Sequence, residues 1–284
     1  MIELRWGERT WVMGIINVTP DSFSGDGIAQ PGRSEAEIVA AALDQARGFV
    51  AAGAQLLDVG AESSRPAQFY GEHPPISAEE EAALAVPVVA ALAAEFEDRA
   101  MVSIDTTKGS VARLALAAGA AMVNDVWAGQ RDPDTVTAAA GAGAHLVLMH
   151  NKEVAEYPRG VFAEVTDWLA DAVEDAVGAG MARERIIVDP GIGFGKTPAH
   201  SIEILHRLGE LKQALGGLPL LVGTSRKRVI GELLGGAGAD ERLEGTAASV
   251  ALSIAHGADI VRVHDVEEIM KTVRVADGIV RWHR

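Results

Sequence analysis

The chain has 284 residues and a mass of 29.7 kDa, 48% apolar and 23% charged, which suits one large α/β domain or two small ones and excludes disorder as the main state. Forty acidic residues against 25 basic ones give a net charge of −15, so no nucleic acid and no anionic membrane is expected as a partner. With no Cys, disulfides, thiolate zinc sites and thiol nucleophiles are excluded.

Residues 1–10 carry charges where a signal peptide needs an apolar core, so a cytoplasmic chain is expected. Trp6-Gly7-Glu8-Arg9 at their centre predicts a hairpin lid. Short apolar runs then alternate with Ala-rich amphipathic segments. Run 12–16 precedes a helix over 35–52, opened by a capping box at Ser34-Glu35-Ala36-Glu37 and stopped at Gly53. Run 55–59 precedes a helix over 78–97, with a second capping box at Ser77-Ala78-Glu79-Glu80 and a kink expected at Pro87. Runs 101–104, 121–123, 145–149 and 186–188 precede helices over 109–118, 133–141, 162–180 and 199–215. Run 220–222 leads into helices over 226–234 and 241–256, and run 260–263 into 266–275. The longest apolar stretch, 82–94, is too short to span a bilayer. Eight strand–helix units with no linker predict a single α/β domain over 1–284. The predicted architecture is a (β/α)8 TIM barrel with a short N-terminal β-hairpin; an open doubly wound sheet is the competing arrangement.

In such a barrel, chemistry sits at the C-terminal strand ends. All eight ends here are polar: Asn17, then Glu62-Ser63-Ser64-Arg65-Pro66, Asp105, Asn124-Asp125, Met149-His150, Asp189, Ser225-Arg226-Lys227 and Arg262-Val263-His264-Asp265. Asp58 lies within the second run. One polar strand end is only a strand meeting water; eight in register point to a shared active site. Asp105, Asn124 and Asp189 suit a flat, nitrogen-rich heterocycle. Arg65, Lys227, Arg262 and His264 are cations or potential cations in an acidic chain, and together would bind phosphate or diphosphate.

Pro190-Gly191-Ile192-Gly193-Phe194-Gly195-Lys196-Thr197 is a near miss for a phosphate loop. Pro190 stands where the pattern needs Gly, and Pro198 falls early in the following helix. The glycines are expected to let the chain turn sharply beneath a ligand. Lys196 is expected to be replaceable at small cost.

These segments, taken in order along essentially the whole chain, resemble the dihydropteroate synthases, a family of pterin-binding barrels. The match rests on Ile16-Asn17-Val18-Thr19-Pro20-Asp21-Ser22-Phe23-Ser24, Glu62-Ser63-Ser64-Arg65-Pro66, Ser103-Ile104-Asp105-Thr106, Val123-Asn124-Asp125-Val126 and Leu148-Met149-His150. It continues through Asp189 to Lys196, Ser225-Arg226-Lys227 and residues 260–265.

The resemblance implies an enzyme that joins para-aminobenzoate to a dihydropterin methyl diphosphate, releasing diphosphate. It implies Asn17 as a magnesium (Mg2+) ligand, Asp105, Asn124 and Asp189 on the pterin edge, and Met149 lining the pocket. Lys227 would contact the pterin. Ser64, Arg262 and His264, with Asn17, would form the diphosphate site, and Arg65, Pro66, Phe194 and Ser225 would surround the aminobenzoate. Lys227, Arg262 and His264 are the implied catalytic residues; a cytoplasmic homodimer and a sulfonamide target are implied as well. Ser64 and Ala67 stand where the family commonly has Thr and Gly, and Ser24-Gly25-Asp26-Gly27 departs from its usual Ser-Asp-Gly-Gly. The rival readings are a pterin-binding methyltransferase barrel, which has no need of Ser225-Arg226-Lys227 or Arg262-Val263-His264, a non-catalytic pterin-binding homologue, and a phosphate-loop kinase.

Overall fold

The computed structural model describes residues 2–19, 27–62 and 75–282. Its first half runs β1 (Trp11–Asn17), α1 (Glu35–Ala52), β2 (Leu56–Gly60), α2 (Ala78–Phe96), β3 (Met101–Asp105), α3 (Gly109–Ala117), β4 (Met122–Asp125) and α4 (Asp134–Ala142). Then come β5 (His145–Met149), α5 (Val161–Gly178), β6 (Ile186–Asp189), α6 (Pro198–His206) and α7 (Leu208–Ala214). The chain ends with β7 (Leu221–Val222), α8 (Arg228–Leu233), α9 (Leu243–Ala255), β8 (Ile260–Val263) and α10 (Val266–Val280). All strand pairs are parallel, in the order β6-β5-β4-β3-β2-β1-β8-β7. A bridge between Val188 and Leu220 brings the two ends together, so the sheet is a barrel and the open arrangement is excluded.

Local signals set the helix ends. Ser34 Oγ accepts from the Glu37 N–H while the Glu37 carboxylate accepts from Ser34 N–H at 2.8 Å, and Ser77 and Glu80 repeat the exchange. Gly53 ends α1 at φ +117°, a conformation costly for a residue with a Cβ. α2 runs on through Pro87. The single helix predicted over 199–215 is two, because Arg207 leaves helical geometry at φ −109°, ψ 20°. Its guanidinium lies 3.5 Å from the Phe162 ring centroid.

Strand side chains alternate between two cores. Val12, Leu57, Val102, Val123, Leu146 and Val261 face the helices. Trp11, Met13, Leu56, Met101, Met122, Val147, Ile187, Leu221 and Ile260 fill the barrel's lower interior as one buried cluster with Leu4.

The expected N-terminal hairpin does not form among the described residues. Residues 2–10 contain a turn at 6–8 but no strand. Gly7, at φ +82°, reverses the chain, and side-chain bonds then hold the segment in place of a strand ladder. Thr10 donates twice to Asp277, from N at 2.8 Å and from Oγ1 at 2.7 Å, and Trp11 Nε1 donates to Arg5 O at 3.3 Å. Trp6 still packs beneath the barrel, so the lid expected from the sequence exists without its strands. Among the described residues no helix is long and apolar enough to cross a membrane.

Candidate active site

The same alternation that fills the lower barrel lifts a second set of inward side chains to its C-terminal mouth. Counting two residues up from Met101, Ser103 and then Asp105 face inward; from Met122 it is Asn124, from Ile187 Asp189, and from Ile260 Arg262. Asp105, Asn124, Met149, Asp189, Phe194, Ser225, Lys227, Arg262 and His264 line a single pocket with Ile15, Val126 and Gly223. The nine residues expected from the sequence beyond β2 therefore converge. Ser64, Arg65 and Pro66, like Pro20 to Asp26, lie outside the described residues. Asn17 closes β1 at the same mouth.

The pocket floor is a network of charges. Arg262 Nε donates to Asp58 Oδ2 at 2.7 Å, and its Nη2 donates to Asp105 Oδ2 at 2.8 Å. Asn124 Nδ2 also donates to Asp58 Oδ2, at 2.9 Å. Asp58 is fully buried. The sequence reading placed Arg262 on a diphosphate; the structure ties its guanidinium first to two carboxylates. Burial pushes the Asp105 carboxyl up to about 7, against the pull of Arg262. Burial likewise raises Asp189, with Lys227 opposing. For Arg262, burial works against the charge, but Asp58 and Asp105 outweigh it and the guanidinium is held above its ordinary value.

The wall opposite comes from the loops after β6 and β7. Lys227 Nζ donates to Ile192 O and stands 4.6 Å from the Phe194 ring centroid. Arg226 adopts a left-handed turn at φ +57° and sends its side chain outward, Nε donating to Asp265 Oδ2 at 3.0 Å. That single reversal leaves Ser225 and Lys227 on its two sides facing the pocket. Ser225 Oγ in turn accepts from the His264 N–H at 3.2 Å and meets His264 Nδ1 at 3.0 Å, which fixes the imidazole.

The glycine loop behaves as expected, and its lysine does not. Gly191 sits at φ +68° with its α-carbon so close to His150 that a Cβ would fall 1.9 Å from the His150 carbonyl oxygen. Asp189 Oδ1 accepts from the Gly191 N–H at 2.7 Å, so this tight turn also orients the carboxylate. The helix that follows caps itself with Thr197 and starts at Pro198, while Lys196 turns inward. It is 2% exposed, with Nζ 2.7 Å from His150 Nδ1 and 3.1 Å from Phe194 O. Burial depresses both partners, Lys196 well below the usual lysine range and His150 to about 2. Lys196 is thus a strut under the loop that carries Phe194, and its burial argues against the expectation that it is cheaply replaceable. Lys196→Ala is expected to lower stability by about 2–5 kcal/mol, the range for truncating a long buried side chain; a urea midpoint equal to wild type would refute the strut.

Asp58 is the site residue that sequence reasoning noticed without assigning. Its signal was a carboxylate inside a strand whose other residues are apolar.

The barrel mouth gathers carboxylates, an amide, a lysine and an arginine around one small pocket, an arrangement suited to an enzyme's active site. Residues 13–264 match the family described as pterin binding enzyme. The chain is 41% identical to dihydropteroate synthase from Synechocystis sp., over 97% of this chain and 92% of that protein. It is similar to a dihydropteroate synthase structure from Clostridium difficile determined in the presence of pteroic acid, with TM-score 0.87, 40% identity, and coverage of 99% of this chain and 100% of that one. A Xanthomonas albilineans dihydropteroate synthase with 4-aminobenzoic acid gives TM-score 0.83 at 37% identity, covering 95% and 93%. The chain belongs to the pterin-binding enzyme family and, within it, to the dihydropteroate synthases.

Proposed function

We propose that this chain condenses para-aminobenzoate with (7,8-dihydropterin-6-yl)methyl diphosphate, giving 7,8-dihydropteroate and diphosphate in folate biosynthesis. The observation that carries the reading is the convergence of Asp105, Asn124, Asp189, Lys227 and Arg262 on one pocket at the barrel mouth. Asp105, Asn124 and Asp189 hold the pterin edge, and Met149 lines the floor. The two carboxylates favour the positive charge that the ring shares with the departing methylene carbon. Lys227 and Phe194 close one face, and Ser225 keeps the His264 ring turned to the leaving group. Arg65 and Pro66 complete the aminobenzoate side, with Ser64 at the diphosphate. The arylamine attacks after the carbon–oxygen bond has opened, so no strong general base is required. Ser225-Arg226-Lys227 and Arg262-Val263-His264 favour this reaction over methyl transfer.

The donors fit a magnesium ion. Asn17 ends β1 at the mouth and carries an amide oxygen, and two residues on, Thr19 Oγ1 is buried with no hydrogen-bond partner among the described residues. Both are hard oxygen donors, and this ion commonly takes one or two protein ligands and completes its shell with water and substrate phosphates. When bound, it neutralises charge on the diphosphate leaving group.

Diphosphate released only when both substrates are present supports the reaction; release that ignores para-aminobenzoate would sink it. Assembly of the pocket should be ordered. Ser64 and Arg65 would meet the charge of the diphosphate, so calorimetry should find para-aminobenzoate bound at least ~tenfold more tightly when pterin and magnesium diphosphate are present. Equal affinity would mean a preformed pocket.

The acting form in this reading is a cytoplasmic homodimer. α9 and α10 present Leu252, Val275 and Ile279 at 60%, 64% and 73% exposure on one apolar strip, which a second copy would cover. Sedimentation velocity should give one species at about twice the chain mass, and Ile279→Asp should shift it to monomer; a monomeric wild type refutes the dimer.

A further inference from the structure

Asp58 takes no part in the reaction outlined above, yet it bonds to two residues that line the pocket, Asn124 and Arg262. It lies at the third position of β2, fully buried. A single oxygen, Oδ2, accepts from Asn124 Nδ2 at 2.9 Å and from Arg262 Nε at 2.7 Å, and Arg262 Nη2 continues to Asp105 at 2.8 Å. Its other oxygen has no hydrogen-bond partner among the described residues.

The two ends of an asparagine amide have nearly the same shape and opposite chemistry. One donates and the other accepts, and only the surroundings decide which faces a ligand. An ionised carboxylate accepts and cannot donate. Bonded to Asn124 and paired with a guanidinium, Asp58 therefore accepts only the NH2 end, and the Asn124 carbonyl oxygen becomes the acceptor offered to the pocket. The Arg262 bond fixes the second neighbour in the same stroke, holding Nη2 on Asp105 so that its carboxylate cannot swing away.

We infer that Asp58 is a positioning residue that sets the specificity of the pocket. It turns the Asn124 carbonyl oxygen to the pocket and, through Arg262, holds the Asp105 carboxyl beside it, so this edge of the pocket offers acceptors. Such a pattern recognises a heterocycle whose edge is rich in N–H donors, such as a 2-amino-4-oxo ring, and rejects the ring in which a carbonyl replaces the amine. This rests on the pterin reading of the same site.

Calorimetry with 6-hydroxymethylpterin and its 2,4-dioxo counterpart tests it. Wild type prefers the amino compound. In Asp58→Leu, Asn124 is released and the preference should narrow by ~tenfold or more, the scale of one hydrogen-bonded contact. In Asp58→Asn, an acceptor oxygen remains available to Asn124, so affinity falls but the preference persists. An unchanged preference in Asp58→Leu, or one equally narrowed in Asp58→Asn, overturns the proposal. Should Asp58→Leu not fold, the ligand-free wild type decides. The Asn124 side-chain amide, assigned by its loss in Asn124→Asp, should show one proton shifted downfield and slow to exchange by NMR. Two fast-exchanging protons overturn the role of Asp58. Failure of wild type to bind either compound, with the Asn124 proton protected, counts against the pterin reading alone.

Discussion

Arg262→Ala is expected to abolish turnover, lower the stability of the barrel by about 3–5 kcal/mol, and weaken pterin binding together with diphosphate binding. The cause is the pair of carboxylates it holds. Asp58 is fully buried and the Asp105 side chain is 10% exposed, and Arg262 bonds to both. Without it, two acids share a poorly solvated floor with no bonded counter-charge. If Arg262 served the diphosphate alone, diphosphate binding and turnover would be impaired severely while free pterin binding fell much less. Urea melts and calorimetry separate the two outcomes. An unchanged melt with full pterin affinity would put Arg262 back on the anion alone. Arg262→Lys should recover little, because one ammonium cannot reproduce the forked geometry that spans Asp58 and Asp105.

Asp105→Asn should weaken pterin binding by about tenfold to a hundredfold, from loss of a charge-assisted bond worth roughly 1.5–3 kcal/mol. It should also change how stability follows pH. The folded Asp105 carboxyl titrates at about 7, above its value of roughly 3.9 in an unfolded chain. The native state therefore holds the proton more strongly. The stability this contributes is fully present below about pH 4 and is lost as pH rises through about 7. Asp189 and Asp125 are raised by burial in the same direction, but they remain in the variant. The difference between wild type and Asp105→Asn thus isolates one group. Urea midpoints at several pH values between 4 and 8 should show the wild type losing stability relative to the variant as pH rises. Parallel curves would mean that Asp105 is ionised throughout.

The barrel was legible because its two signals are local. Alternating apolar strand residues name the inner and outer faces, and helix caps such as Ser34 with Glu37 are complete within four residues. Polar residues at strand ends were legible for the same reason, since Asp105, Asn124, Asp189 and Arg262 each interrupt an apolar run. Asp58 escaped assignment because its meaning lies in a partner 204 residues away. Lys196 misled because a phosphate-loop pattern describes neighbours in sequence, whereas its bond to His150 crosses 46 residues. The hairpin failed because Gly7 supplied a turn but Thr10 found the carboxylate of Asp277 at the far end of the chain. The expectations for Ser64, Arg65 and Pro66 lie outside the described residues.

The ring of eight strands is joined between β6 and β7 by a single bridge, and β7 there has only two residues. Backbone bonding at that joint is sparse: Val188 N–H reaches Pro219 O at 2.9 Å beside the single Val188–Leu220 bridge. On its other side β7 is pinned to β8 by a side chain. Asp259, buried at the foot of β8, accepts the Leu220 N–H at 2.8 Å and is itself clasped by Lys212 Nζ at 2.6 Å. The loops that bear Phe194 and Lys227 leave from opposite sides of this joint. The ring is therefore most easily parted directly below the place where those two residues meet, and amide exchange that begins at Val188 and Leu220 would loosen the substrate's wall before the rest of the barrel feels it.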